Sequence, residues 1–215
     1  LGPKKARQLY EKLGIGSVGE LEYACRENRL VSLPGFGAKT QERILQGIDY
    51  RKRFQGRFLL ADAWPPAEKL AAYLARQAGV AAVGVAGSIR RRKETVKDID
   101  IVAAADSPAA VAALVAGLPG VERVAGSGPT KTSVKLANGL NVDVRAVKPE
   151  EFATALHHFT GSKEHHVKLR GLAKDKGLKI SEYGIETAAG ERLAVADEQA
   201  FYRVLGLDYI PPELR

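Results

Sequence analysis

The hydrophobic positions change period several times along the chain. Leu9, Tyr10 and Leu13, and later Ile44, Leu45 and Ile48, recur at helical spacing. Trp64-Pro65-Pro66 should break the chain, and residues 67–77 then predict a helix buried through Leu70, Tyr73 and Leu74. Short apolar runs over 80–86 and 99–105 predict strands, Ser107-Pro108 should cap a helix over 109–117, and 121–124 reads as an edge strand. Residues 133–136 and 140–147 flank Asn138-Gly139, the strongest short-range hairpin signal. In the second run Leu140, Val142 and Val144 share one face while Asn141, Asp143 and Arg145 share the other. Pro149-Glu150-Glu151 should open a helix to about residue 159, and Ser162 should cap another through 176. A hairpin of 179–186 with 191–194 and a short helix over 198–205 complete the reading. The pattern is α+β, in three parts: 1–60, all helical; 61–149, a mixed sheet with flanking helices; and 150–215, a small α+β subdomain.

Charge changes this picture more than composition does. The net charge of +8 divides into +6 over residues 1–60, +4 over 61–149 and −2 over 150–215. A basic excess in the first two thirds is expected of a nucleic-acid-binding face. Without a basic amphipathic helix, a lipid surface is a poor match. No apolar run approaches membrane-spanning length, and no signal-peptide pattern opens the chain. Cys25 is the one cysteine, which excludes a disulfide framework and a cysteine-based zinc site and suits a reducing, intracellular setting. The chain has no methionine and opens on Leu1-Gly2-Pro3, which looks like the middle of a turn; we read it as a piece of a longer protein.

The chemistry concentrates in Gly87-Ser88-Ile89-Arg90-Arg91-Arg92 and Asp98-Ile99-Asp100. A small-residue turn leads into a row of cations, and two carboxylates follow on alternate strand residues, hence on one face. Like charges held that close want a cation between them. Cations aimed at phosphate beside a cradle for divalent metal suggest phosphoryl transfer. Asp143 supplies a third strand-borne acid, and Arg145 on its face could hold one carboxylate in place. Residues 126–132 imitate a P-loop, but the Gly-Lys adjacency is missing and a strand follows where a helix is needed, so we reject it. Lys131 and Lys135 remain expected contacts to a nucleic-acid backbone.

Leu33-Pro34-Gly35-Phe36-Gly37-Ala38-Lys39 is a glycine turn followed by a helical pattern, and Leu1-Gly2-Pro3-Lys4 repeats it in shortened form. Gly2 corresponds to Gly37 and Lys4 to Lys39. Such glycines allow close backbone approach, and free N–H groups at the helix start then face a phosphate oxygen with a lysine nearby. The pair resembles the tandem helix-hairpin-helix motifs of DNA repair and replication proteins. Arg51-Lys52-Arg53 with Arg57 adds at most a weak electrostatic contribution. His157, His158, His165 and His166 invite a metal reading. Adjacent histidines on a helix point apart, though, and no acid or thiol completes the set, so we expect them to line a nucleotide pocket.

Together, Gly87-Ser88-x-Arg90-Arg91, Asp98-x-Asp100, Asp143, Phe159-Thr160-Gly161-Ser162 and the helix-hairpin-helix repeat resemble the family X DNA polymerases, most closely their bacterial branch. The resemblance covers essentially the whole chain. It implies a nucleotidyltransferase-type palm over 61–149 and a templated DNA polymerase that fills short gaps in repair. In that likeness Asp98 and Asp100 would bind two Mg²⁺ ions (Mn²⁺ as the alternative), and Asp143 would bind the catalytic ion and help take the proton from the primer 3′-hydroxyl. Gly87, Ser88 and Arg91 would hold the incoming triphosphate, with His158, Phe159, Gly161 and His166 around its sugar and base. Arg145 would orient a carboxylate, and Arg170 would reach the minor groove at the templating base. Gly2, Lys4, Gly35, Gly37 and Lys39 would hold the DNA backbone, with a monovalent cation at the hairpin turns. The expected partners are primer-template or gapped DNA and a dNTP, with the chain a monomer in the bacterial cytoplasm or nucleoid.

Departures from the family pattern accompany the likeness. Lys97 stands where the family usually has glycine, His158 replaces a tyrosine and His166 an asparagine, and a family arginine has no counterpart near residues 60–62. The two histidines put sugar discrimination in question, and Lys97 a backbone contact to the phosphates. Bacterial relatives usually carry a further N-terminal segment and a C-terminal phosphoesterase domain of the PHP type, so neither lyase nor exonuclease activity is assigned. Two other readings stand beside the leading one: a catalytically silent DNA-binding scaffold, and a template-independent nucleotidyltransferase. The intact acids argue against the first; the hairpin repeat and Arg170 argue against the second.

Overall fold

Helical spacing in the first fifty residues resolves into α1 (Pro3–Leu13), α2 (Val18–Arg26) and α3 (Ala38–Phe54). The structure, a computed structural model, describes residues 1–54 and 56–215, and the side chains of 52–54 lie outside the description; so does that part of the basic run at 51–53. Residues Leu1–Gly56 form one compact unit and Arg57–Arg215 a second.

In the first unit Gly2 stands at the cap position of α1 with Pro3 behind it, where a missing N–H costs nothing. Gly37 stands just before α3, its carbonyl accepting from the N–H of Thr40 and Gln41. The segment between the hairpins went unread in the sequence and contains a capping box. Ser17 accepts from Glu20 N–H at 3.2 Å, and Glu20 accepts from Ser17 N–H at 3.0 Å. Leu9, Ala24, Cys25, Leu30, Phe36, Ile44 and Ile48 make the core.

The second unit opens with β1 (Phe58–Leu59) and α4 (Leu60–Ala75). Contrary to expectation, Trp64-Pro65-Pro66 lies inside α4. The two prolines deprive only the carbonyls of Ala61 and Asp62, both on exposed residues where water can bond them. Ala63, Ala67, Leu70 and Leu74 hold the helix through one buried stripe. Then follow β2 (Val80–Val85), α5 (Gly87–Arg90), β3 (Thr95–Val96), β4 (Asp98–Ala105), α6 (Pro108–Ala116), β5 (Val121–Ser127), β6 (Lys131–Leu136) and β7 (Asn141–Val147). Ser107 occupies the cap of α6 but makes no side-chain capping bond, against expectation.

The main sheet has the order β2-β4-β7-β6-β5, with β4 and β7 parallel and the other pairs antiparallel. Ile99, Ile101, Ala103 and Ala105 pack on the side that also buries residues of α4 and α6. Full burial of each isoleucine contributes about 1.5–3 kcal/mol. The opposite side of β4 carries Asp98, Asp100, Val102 and Ala104. Val102 and Ala104 are covered by a cluster containing Val147 and Ala155, leaving the two aspartates half-buried at the strand's start.

The chain ends with α7 (Phe152–Thr160), α8 (Lys163–Asp175), β8 (Leu178–Ser181), β9 (Gly184–Thr187), β10 (Arg192–Leu193) and α9 (Glu198–Val204). The single strand expected over 179–186 is instead a hairpin. Ile180 and Ile185 would face opposite ways in one strand, and folding the chain between them pairs them directly, so both are buried. No helix among the described residues is long and apolar enough to cross a membrane.

Candidate active site

The parallel register pairs Asp98 with Asn141 and Asp100 with Asp143, so all three acids project from one face of adjoining strands. Burial, then the charges of Asp98 and Asp143, push the Asp100 carboxyl up to about 7 despite Lys131 and Arg145 nearby. The turn before α5 is pinned to this strand, since Ala86 N–H donates to the Asp100 carbonyl at 2.8 Å. Gly87 has φ of 62°, and a Cβ there would lie 2.0 Å from Asp100 Oδ2, so only glycine lets the turn approach the acid.

The cations that follow face different partners. Arg90 binds Glu198 with both terminal nitrogens and donates to Thr160 Oγ1 at 2.8 Å. Glu198 also takes Arg215 at 2.7 Å; burial would raise its carboxyl, but the two arginines bring it below the ordinary carboxylate range. Arg91 donates to the Thr160 carbonyl, and its Nε is buried without a hydrogen-bond partner among the described residues. Burial lowers its pKa, against the pull of Asp100 and Glu164. Ser88 sits on α5 beside it, its carbonyl accepting from Lys93 N–H. Gly161 follows with φ of 67°, where a Cβ would come within 3.1 Å of Arg91 Nη1.

One expected role differs from the structure. Arg145 makes no hydrogen bond to a carboxylate among the described residues; its guanidinium lies over the Phe159 ring, 4.8 Å from the centroid. The cation on the acids is Lys131, with Nζ 2.6 Å from Asp143 Oδ2. Ser133, which the sequence reading passed over, donates to Asp143 Oδ1 at 2.6 Å. The signal was available: Ser133 faces Asp143 across the hairpin. Glu198 and Arg215, far away in sequence, carried no such signal. Lys135 pairs with Asn141 on the same face.

A cleft of about 390 Å³ lies beside this centre, lined by His158, Phe159, Gly161, Ser162, His166 and Arg170 among others. His158 Nδ1 and His166 Nε2 are 2.9 Å apart, and Glu182 stands 3.8 Å from His158. Burial, then the neighbouring His158, lower His166 to about 4; burial also lowers His158, partly offset by Glu182. His157 and His165 both reach the Tyr202 hydroxyl, at 3.2 and 2.8 Å, and burial followed by the Arg215 charge drives His157 to about 2. Lys97 is exposed. In the first unit Lys4 and Lys39 are exposed at the starts of α1 and α3, while Lys5 bonds the Gly35 carbonyl at 2.9 Å and ties the second hairpin to α1.

The acids offer hard oxygen donors whose mutual repulsion the nearby cations relieve only in part, which suits divalent cations. As they stand, no group of three or more His, Cys, Asp or Glu among the described residues is arranged to hold a metal, and Lys131 and Ser133 engage both oxygens of Asp143.

Comparison with known proteins bears on the family and the fold. The family model "SAM-like Helix-hairpin-helix tandem" matches residues 1–49, and "DNA polymerase beta thumb" matches 155–215. The DNA polymerase/3'-5' exonuclease PolX of Bacillus subtilis (strain 168) is 42% identical over 218 residues, covering 100% of this chain. The chain belongs to the family X DNA polymerases. DNA polymerase lambda of Rattus norvegicus is 35% identical over 85 residues, 34% of the chain. This family X chain spans 38% of the length of the Bacillus protein and 15% of the rat protein. Two crystal structures of Leishmania infantum polymerase beta share its fold over 100% of the chain at 24% identity. The ternary gap complex has a TM-score of 0.65 with 86% of that chain covered, and the ternary P/T complex has 0.62 with 94% covered. The fold is thus the α+β palm of family X with an N-terminal helix-hairpin-helix module.

Proposed function

We propose that this chain is the nucleotide-adding core of a templated DNA polymerase that fills short gaps during DNA repair. One observation carries the reading: Asp98, Asp100 and Asp143 share a face directly beside the Gly87-Ser88 turn and Arg91. In this reading residues 1–60 bind DNA, 61–149 form the palm, and 150–215 contact nucleotide and template.

Asp98, Asp100 and Asp143 would hold two divalent ions, Mg²⁺ or alternatively Mn²⁺. Bound there, such ions supply the Lewis acidity that acidifies a primer 3′-hydroxyl and neutralises the leaving pyrophosphate. Asp143 would help take the hydroxyl proton. Ser88 and Arg91 would hold the β- and γ-phosphates by charge-assisted bonds. Phe159 and His158 would flank the sugar, with His166 and Arg170 at the base and template. Gly2, Lys4, Gly35, Gly37 and Lys39 would grip phosphates of the DNA backbone, with a monovalent cation at the hairpins. Lys135 would add a backbone contact. The expected setting is the bacterial cytoplasm, with the chain acting as a monomer on gapped DNA and dNTPs.

Asp143→Ala tests this. Nucleotide addition to a gapped primer should fall at least about a thousandfold, in the range that loss of an essential electrostatic group produces, while DNA affinity stays within twofold or so. Parental-rate extension by the variant would refute the mechanism. The bonded state of Asp143 is the one observation favouring a silent DNA-binding scaffold. That reading requires the parent chain itself to show no extension with Mg²⁺ or Mn²⁺.

A further inference from the structure

Lys131 is the group in the site whose position the proposed chemistry does not use. Its ammonium is 2.6 Å from Asp143 Oδ2, and Ser133 holds the other oxygen. A divalent ion entering at Asp143 must compete with these groups for the carboxylate oxygens. Ser133 is neutral and can turn away, but Lys131 carries a charge that repels the incoming ion. We propose that Lys131 is an internal counter-cation that stands in for the divalent ion at Asp143 and is released to the DNA backbone when the ion enters. This rests on the polymerase reading above.

Charge balance favours the exchange. The shared face carries the carboxylates of Asp98, Asp100 and Asp143 against the cations of Lys131 and Arg145. A divalent ion entering while Lys131 stays would be repelled by its ammonium; releasing Lys131 removes that repulsion. Arg145 does not take its place in the structure, because its guanidinium is stacked on Phe159. Lys131 is free to move on its own account. It is the first residue of β6, its side chain is 37% exposed, and the charge sits on a flexible four-carbon stem. Lys135 shares its face of β6. A released Lys131 ammonium and Lys135 would together present two cations to a phosphate backbone. Because one lysine serves the acid or the DNA but not both, ion binding and DNA binding favour one another, and by linkage the factor is the same in both directions.

Mn²⁺ is the probe, with free ion counted by electron paramagnetic resonance. The titration uses the full chain with and without a gapped duplex whose primer ends in a dideoxynucleotide, so that no chemistry occurs. In the parent, DNA should tighten Mn²⁺ binding about tenfold, within the usual range of such couplings. Lys131→Ala should tighten Mn²⁺ binding about tenfold without DNA and reduce the effect of DNA to about twofold or less. Lys131→Gln serves as a second variant should the alanine protein fail to fold, as judged by circular dichroism. Unchanged or weaker Mn²⁺ binding in the folded variants overturns the proposal. Asp143→Ala in the same titration separates the two layers. Parental Mn²⁺ binding that ignores Asp143 overturns the polymerase site and this inference together. Binding that needs Asp143 but ignores Lys131 overturns the inference alone.

Discussion

Gly87→Ala puts one methyl group where the Gly87-Ser88 turn meets the proposed catalytic acids. The added Cβ would lie 2.0 Å from Asp100 Oδ2, 2.9 Å from its Cγ and 3.1 Å from its Cβ, on a residue with φ of 62°. The left-handed backbone alone costs about 1–2 kcal/mol for a residue with a side chain. If Asp100 stays put, the clash adds about 1–3 kcal/mol of overpacking. If Asp100 swings aside instead, the clash is relieved but its carboxylate moves by about 1 Å, a displacement that costs on the order of a hundredfold in rate. The two responses separate in two assays. Urea unfolding followed by Trp64 fluorescence reads the first, since that single tryptophan packs against Arg92 in the same unit. Single-turnover addition to a one-nucleotide gap reads the second. A variant within about 0.5 kcal/mol of the parent in stability and within about threefold in rate would refute the claim that this turn needs glycine to approach Asp100.

Two other perturbations test groups behind the site. His157 sits near 2 in the folded chain against 6.5 unfolded, so the unfolded chain binds more protons and stability falls as the pH drops below about 6.5; from pH 7 to 5 the loss is about 2 kcal/mol. His157→Phe should flatten that part of the pH dependence in denaturant titrations. Glu198→Ala leaves Arg215 and Arg90 without their shared carboxylate and should cost about 3–5 kcal/mol, read by urea unfolding, with Glu198→Gln losing less.

What the sequence revealed follows from how local the physics is. The acids could be read because strand alternation puts Asp98 with Asp100 and isolates Asp143 from Val142 and Val144. Even the register of the hairpin was within reach. A two-residue loop at Asn138-Gly139 would set Asp143 opposite Val134, which the polar pattern forbids. The three-residue loop actually formed sets it opposite Ser133. The prolines of α4 misled, because a missing N–H breaks a helix only when the freed carbonyl has nowhere else to turn, and those of Ala61 and Asp62 belong to exposed residues. Arg145 misled differently. Its face was read correctly, but two cations compete there, and the choice between carboxylate and Phe159 depends on packing that spacing does not encode.

The arginine row shows the same limit and what lies beyond it. Arg90 and Arg91 belong to one row of cations in the sequence, with Arg91 the expected phosphate ligand, and consecutive residues of a helical turn point about 100° apart. The structure divides their work. Arg90 is held by Glu198, which Arg215 braces from behind, and both arginines end on Thr160, the last residue of α7. Arg91 is therefore positioned by its neighbour: its backbone is fixed through Arg90 and its guanidinium through Thr160. Its own Nε has no partner among the described residues. A buried donor in that state is costly unless something accepts from it, and an arginine desolvated beside a turn of small residues is suited to an anion. The proposed triphosphate end of the site is thus set by contacts that reach from α5 to the end of the chain. A perturbation at Glu198, which touches no proposed substrate, should reach the reaction through the position of Arg91.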